Sequence, residues 1–222
     1  MILDPTNFTL RAENVVCCYP HLWTPEGYGD GPKSYSTELI FDPTNPSHAA
    51  QMKEIHEMTG ALLRSLGKPD SMAQTVMPLQ DGNEKNKDRA KQAKEPRPEL
   101  ENKWVMRVAD SSIRPVVFDQ SGVPMDESLS ANVFSGCIIH CVFQLYWRTV
   151  PTNPGVSAGL RSVMLVDNVN VKRLGGGAPS VDTMRGWFSN APKPVAAAPA
   201  NAGPAPWEPA VTPGTGDGPS WM

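Results

Sequence analysis

The sequence predicts a mainly β protein, built as a closed antiparallel barrel with one main α-helix and long loop insertions. Apolar and polar residues alternate in several separate segments, which is the period of a strand with one buried face. One segment, 43–69, instead has the spacing of an amphipathic helix. Because a small antiparallel sheet must protect its edge strands, this order of elements favours a sheet that closes into a barrel.

The first two strands are predicted at 8–23 and 34–42, with a loop rich in glycine and proline between them. The helix follows, with Ser47 as the predicted N-cap and with Gly67 and Pro69 after its last turn. The apolar stripe of this helix, which should face the barrel, consists of Met52, Ile55, Thr59, Leu62, Leu63 and Leu66.

Further strands are predicted in the second half of the chain, at 104–110, 114–119, 134–148 and 156–174. In 134–148 one face is apolar throughout and should lie against the core, with Cys137, Ile139, Cys141, Phe143, Leu145 and Trp147. The opposite face mixes apolar residues with His140, Gln144, Tyr146 and Arg148. An OB-fold is the expected barrel, although a β-sandwich has the same pattern of strands.

The folded domain is predicted to span 1–190. Within it, 81–103 is dense in both signs of charge and has no apolar period, which predicts an exposed charged loop insertion. A short helix is predicted at 181–188. The segment 191–222 consists almost entirely of Pro, Ala, Gly and small polar residues. Because such a segment cannot bury enough apolar surface to offset its ordering entropy, it is predicted to be a disordered tail.

Composition and motifs argue against several classes of protein. The net charge is -3, so no overall basicity points to a nucleic-acid partner. The chain has neither an apolar run of membrane-spanning length nor a signal peptide, which predicts a cytoplasmic protein. Motifs of phosphate-binding loops, serine hydrolases and zinc proteases are not found, so catalysis and a small-molecule substrate are not expected. The four cysteines lack the spacing of a zinc site, so no metal is expected and they should be buried reduced thiols.

A recurring pattern is an aromatic residue close to a cationic one, at strand ends and in loops. The candidate binding residues are Tyr19, Lys33, Tyr35, Trp104, Arg107, Tyr146 and Arg148. Unpaired nucleobases offer ring faces for stacking and their backbone offers phosphates, so this combination is typical of single-stranded nucleic-acid binding. Paired bases are already stacked, and an aromatic groove should therefore discriminate against duplexes.

Simpler roles stay open for most of these residues. Tyr35 shares a strand face with Leu39 and Phe41, so it can equally pack in the core. Tyr146 and Arg148 can be ordinary residues of an exposed strand end. The lysines of the charged insertion fit a solvated loop better than a clamp on a phosphate backbone.

Three blocks of sequence occur in a fixed order over roughly residues 15–175, namely "YPHLWTPEGYGDGPKSYSTELIFD", "FSGCIIHCVFQLYWR" and "GVSAGLRSVMLVDN". They resemble a family of single-stranded DNA-binding proteins of tailed phages and prophages, which is distantly similar to podophage replication proteins of the same kind. The resemblance implies an OB-fold that binds single-stranded DNA without sequence preference during phage replication and recombination, in the cytoplasm of the infected host. It implies no cofactor and no catalysis.

The resemblance also implies DNA contacts at Tyr19, Lys33, Tyr35, Arg107 and Tyr146, with Trp104 and Arg148 as further candidates. Many single-stranded DNA-binding proteins recruit replication and recombination partners through an acidic tail that ends in an aromatic residue. Here the tip reads "GDGPSWM", with one acid and one aromatic, so recruitment through this tail is an open question. The main rival is a structural phage β-protein of the capsid or tail. An RNA-binding or annealing OB-fold is a third hypothesis.

Overall fold

The computed structural model describes residues 1–27, 31–69, 72, 77–150 and 154–174. Residues 1–177 belong to one compact unit. The predicted helix at 181–188 and the predicted disordered tail at 191–222 lie outside the described residues, so both stay predictions. The boundary of the folded domain at residue 190 stays a prediction as well.

In the described residues, eight strands form one sheet: β1 (Ile2–Asp4), β2 (Thr9–Glu26), β3 (Ser34–Phe41), β4 (Leu79–Asp81), β5 (Trp104–Asp110), β6 (Val116–Phe118), β7 (Ile138–Arg148) and β8 (Gly155–Asp167). Five of them close into a barrel in the order β5-β3-β2-β7-β8, because β5 also pairs with β8 between Val108 and Ala158. The predicted mainly β barrel is confirmed. The closing pair is parallel, however, as is the pairing of β6 with β8.

The barrel interior is filled by the strand faces that the alternation of apolar and polar residues predicted to be buried. On β7, Ile139, Cys141, Phe143 and Leu145 are buried, and Trp147 packs against the same cluster. The Nζ atom of Lys68 lies 4.2 Å from the centre of the Trp147 ring. The two faces of β7 are therefore as predicted. β1 and β4 were not predicted, because three residues are too few to show a period.

The main helix, α1, spans Pro46–Ser65, and its N-cap lies two residues before the predicted one. The N-cap is Asn45, whose Oδ1 accepts a hydrogen bond from the backbone N–H of Ser47 at 2.9 Å. Pro46 fits the first helical position, where no backbone N–H donor is needed. Most of the predicted stripe is buried, but Leu66 is exposed because the helix has already ended there.

Side chains in the first turns of α1 form hydrogen bonds with the backbone of an irregular part of β2. Gln51 exchanges two hydrogen bonds with the backbone of Glu13, at 2.8 and 3.1 Å. His48 contacts the carbonyl oxygen of Asn14 through Nε2 at 3.0 Å and accepts from the N–H of Asp42 through Nδ1 at 3.0 Å. Asn14 has a φ of 54°, so the backbone of β2 is irregular at the point where Gln51 and His48 bind it.

The charged insertion at 81–103 is folded, and the prediction of an exposed loop without a core face was wrong. It contains a second helix, α2 (Gly82–Lys91), and a 3-10 helix at Pro98–Leu100. Leu100 is fully buried on the outer surface of the barrel, in a small cluster with Cys18, Ile40 and Val105. A Cβ atom at Gly82 would lie 2.2 Å from the Leu100 carbonyl oxygen, so a glycine is needed where α2 begins.

Two remaining expectations concern the cysteines and the membrane. All four cysteines are free and buried, as predicted. Burial raises the pKa of both Cys17 and Cys18 to about 12, so they are thiols at neutral pH. Within the described ranges, no three His, Cys, Asp or Glu side chains are grouped closely enough to hold a metal ion. No described helix has the length and apolar character needed to cross a bilayer.

Candidate nucleic-acid interface

Two adjoining depressions lie on the outer surface of the barrel, and together we call them the groove. The first is bordered by β5, the end of β7, the start of β8 and α2, and its lining includes Lys85, Arg107, Tyr146, Arg148 and Ser157. The second is bordered by β2, β3 and the insertion, and its lining includes Tyr19, His21, Glu26, Arg89 and Arg97. Glu38 and Arg107 line both depressions, so the groove is continuous across β3 and β5.

Tyr19 reaches the groove through an irregularity in β2. The pairing of β2 with β3 shifts register between Cys18 and His21, and Tyr19 itself has a φ of 48°. Its backbone N–H donates to the Oγ atom of Ser135 at 2.8 Å, which holds this uncommon conformation. Tyr19 is 43% exposed, and the guanidinium carbon of Arg97 lies 4.5 Å from the centre of its ring. Arg97 thus supports the ring by a cation–π contact.

Tyr146 and Arg148 lie two residues apart on β7 and therefore share its outward face. They stand opposite Ser157 and Gly155 of β8, both of which line the same depression. Tyr146 is 43% exposed, equal to Tyr19. The groove thus has one half-exposed tyrosine ring in each of its two depressions.

Arg107 occupies the middle of the groove, on the outward face of β5. In the β3–β5 register it is the direct neighbour of Glu38. Its Nη2 atom donates to the Oγ atom of Ser34 at 3.2 Å. The side chain is exposed and lies between the two tyrosines along the groove, where it can contact a phosphate.

Glu38 is the centre of an ion-pair network that joins the barrel to the insertion. Its carboxylate lies 2.6 Å from the Nζ atom of Lys85 and 2.5 Å from the Nη1 atom of Arg97. Arg97 also donates through Nε to Glu99 at 2.8 Å. Burial alone would raise the pKa of Glu38, but Lys85 and Arg97 outweigh it and hold this pKa below the ordinary value. Glu38 is therefore ionised at neutral pH.

A family model for the single-stranded DNA-binding protein of Enterobacter phage Enc34 matches residues 9–191. This match covers most of the chain. The chain belongs to the Enc34 single-stranded DNA-binding family. The resemblance noted in the three sequence blocks is therefore confirmed. A comparison with curated proteins finds no match.

Several solved structures are similar to this chain. The single-stranded DNA-binding protein of bacteriophage Enc34 in complex with ssDNA has 23% identity and a TM-score of 0.63, and the match covers 76% of this chain and 90% of that one. A second structure of the Enc34 protein has 22% identity and a TM-score of 0.61, with coverage of 81% and 90%. The gp2.5 protein of bacteriophage T7 matches with 15% identity and a TM-score of 0.49, over 86% and 98% of the two chains. The Enc34 structures establish the shared barrel fold.

Of the predicted site residues in this Enc34-family chain, four line the groove: Tyr19, Arg107, Tyr146 and Arg148. Tyr35 and Trp104 lie on the opposite side of their strands and pack against the barrel core. Trp104 stands beside Phe41 in the β3–β5 register, and both rings face inward. Lys33 is exposed in the loop before β3 and is not among the residues that line the groove.

The insertion supplies groove residues that were not predicted as site residues: Lys85, Arg89 and Arg97. Lys85 lies in the segment predicted to be a solvated loop. The alternation of β3 places Glu38 on the outward face, but nothing in the sequence near Arg97 indicates that it folds back against β3. This contact joins residues 59 positions apart in the sequence, so no local pattern predicts it.

Proposed function

We propose that this protein binds single-stranded DNA without sequence preference, through the groove. The observation that carries the proposal is the pair of half-exposed tyrosines, Tyr19 and Tyr146, with Arg107 between them on the outer surface of the barrel. Membership of the Enc34 family supports the same conclusion, as does the similar solved structure in which the Enc34 protein is in complex with ssDNA.

Each tyrosine ring offers a stacking surface for one or more unpaired bases. Stacking of this kind contributes about 1–3 kcal/mol per base and tolerates every base, because each has a π-face. Arg107 and Arg148 supply positive charge for the backbone phosphates. Bases within a duplex are already stacked on each other and cannot stack on the tyrosine rings. The groove should therefore bind single strands in preference to duplexes.

In this role the protein coats and protects single-stranded DNA during phage replication and recombination, in the cytoplasm of the infected host. The proposal gives it no catalytic step and no cofactor, since binding alone accounts for the groove. The tail at 191–222 is a candidate contact for replication and recombination proteins. A structural role in the capsid or tail finds no support in the family match.

The test is a binding titration followed by the fluorescence anisotropy of labelled oligonucleotides. Oligo-dT, a duplex of equal length and an RNA oligomer are compared at two salt concentrations. We expect tight binding to oligo-dT, much weaker binding to the duplex, and an affinity that falls steeply with salt because bound phosphates release counterions. Equal affinity for single and double strands would reject the stacking mechanism, and preference for the RNA oligomer would favour an RNA-binding role.

A further inference from the structure

Glu38 is an unexpected residue for the centre of a groove that holds a polyanion. It lines both depressions, and its side chain is only 15% exposed. A carboxylate at this position repels a phosphate that enters the groove. The question is therefore what Glu38 does when no DNA is bound.

Two cations contact this carboxylate, and a third lies beside it on the neighbouring strand. Lys85 and Arg97 are within direct contact, at 2.6 and 2.5 Å. Arg107 is the cross-strand neighbour of Glu38 and lines the same two depressions. A cluster of one lysine and two arginines around one anion has the composition of a phosphate-binding site, because guanidinium groups bind phosphate oxygens with two parallel donors.

Arg97 has an unused donor in this cluster. Its side chain is 8% exposed, and its Nη2 atom is buried without a hydrogen-bond partner among the described residues. Buried donors of this kind are rare, since leaving one unpaired costs about 1–3 kcal/mol and more for a charged group. Arg97 lines the second depression, so a phosphate that enters there lies close to its guanidinium group.

From these contacts we infer that Lys85, Arg97 and Arg107 form a phosphate seat for the DNA backbone, and that Glu38 occupies this seat as an internal competitor in the free protein. The inference rests on the proposed function. A phosphate that enters the seat takes over Lys85 and Arg97 from the carboxylate, so Glu38 lowers the affinity of the groove. The folded insertion is then part of the binding surface, because it carries two of the three cations.

The first experiment removes the charge of Glu38 and keeps its shape, with Glu38→Gln. We expect this variant to bind oligo-dT about tenfold more tightly than the wild type at low salt, because a like charge in contact with the phosphate is gone. The plot of log Kd against log salt should become steeper, by up to about 0.7, because Glu38 no longer offsets one positive charge of the seat. Glu57→Gln is the control, since Glu57 carries the same charge on the exposed side of α1, and its Kd should stay within about twofold of wild type.

A second variant keeps the inference testable if Glu38→Gln does not fold. Lys85→Met removes one cation of the seat and keeps its aliphatic stem, and we expect it to make the salt dependence shallower by about 0.7. Circular dichroism melting of each variant establishes that it is folded. Unchanged or weaker binding by a folded Glu38→Gln protein, or an unchanged salt slope in Lys85→Met, would overturn the phosphate seat. Failure of the wild type itself to bind oligo-dT would instead overturn the proposed function.

Discussion

Tyr19 and Tyr146 differ from Tyr35 and Trp104 in the side of the barrel on which they lie. The first two are 43% exposed and line the groove, whereas the second two pack against the core. All four are aromatic residues that the sequence offers as binding candidates, so residue type does not separate them. The strand period and the local backbone separate them. Tyr35 lies on the same face of β3 as buried Leu39 and Phe41, whereas the positive φ of Tyr19 interrupts the alternation of faces along β2.

The comparison shows that an aromatic residue becomes a binding residue only where the fold leaves its ring uncovered. The inward rings should contribute to folding and the outward rings to binding. This separation can be measured, because stability and affinity are independent readouts for a protein that stays folded.

The largest expected effect is on stability. Trp104→Ala should lower the free energy of unfolding by about 3 kcal/mol, because it removes a large ring that packs against the core. Denaturant unfolding followed by circular dichroism measures the change. The Kd for oligo-dT, measured well below the melting temperature, should stay close to wild type. Loss of affinity without loss of stability would place Trp104 in the binding site instead.

The outward tyrosines should show the reverse behaviour. Tyr19→Ala and Tyr146→Ala should each weaken oligo-dT binding by roughly 5- to 150-fold, the equivalent of one lost stacking contact. Their melting temperatures should change little, since the rings are half exposed. Tyr19→Phe and Tyr146→Phe retain the ring and serve as matched controls with affinity near wild type. Anisotropy titrations in which both Ala variants bind normally would remove the tyrosines from the site.

A smaller effect is expected for the cation between the two rings. Arg107→Ala removes one phosphate contact, so the plot of log Kd against log salt should become shallower by about 0.7. The loss should be similar for dT, dA and mixed sequences, because a phosphate contact carries no sequence information. A loss confined to one base composition would show that Arg107 reads bases rather than phosphates.

The smallest expected effect is on the thermal stability of the fold at acidic pH. Because Lys85 and Arg97 hold the pKa of Glu38 below its ordinary value, its ion pairs stabilise the fold above the unfolded pKa of about 4.3. This contribution is lost as the pH falls through the lower pKa of the folded state. Melting temperatures at about pH 7, 4 and 3 should therefore fall less steeply for Glu38→Gln than for the wild type. Parallel curves would show that the ion pairs add nothing to stability.

The sequence was sufficient for the barrel, the faces of β7 and the position of the helix, because each depends on a regular period of apolar residues. It was not sufficient to predict the direction of the Tyr19 side chain. This direction depends on the φ of 48° at Tyr19 itself and on the hydrogen bond from its N–H to Ser135. The insertion was missed for a related reason. One apolar residue, Leu100, anchors it, and a single residue has no period.

The closing pair of the barrel has a further consequence for motion. Among the described residues, β5 and β8 share one registered pair, Val108 with Ala158, reinforced by Arg161 and Asp110 at 2.6 Å. This is the shortest pairing in the barrel, so we expect it to open more easily than the others. The first depression of the groove lies beside it, with Ala109 and Ser157 in its lining. A nucleic-acid strand bound there bridges the two edges, so oligo-dT should slow amide hydrogen exchange along β5 and β8 more than along β2.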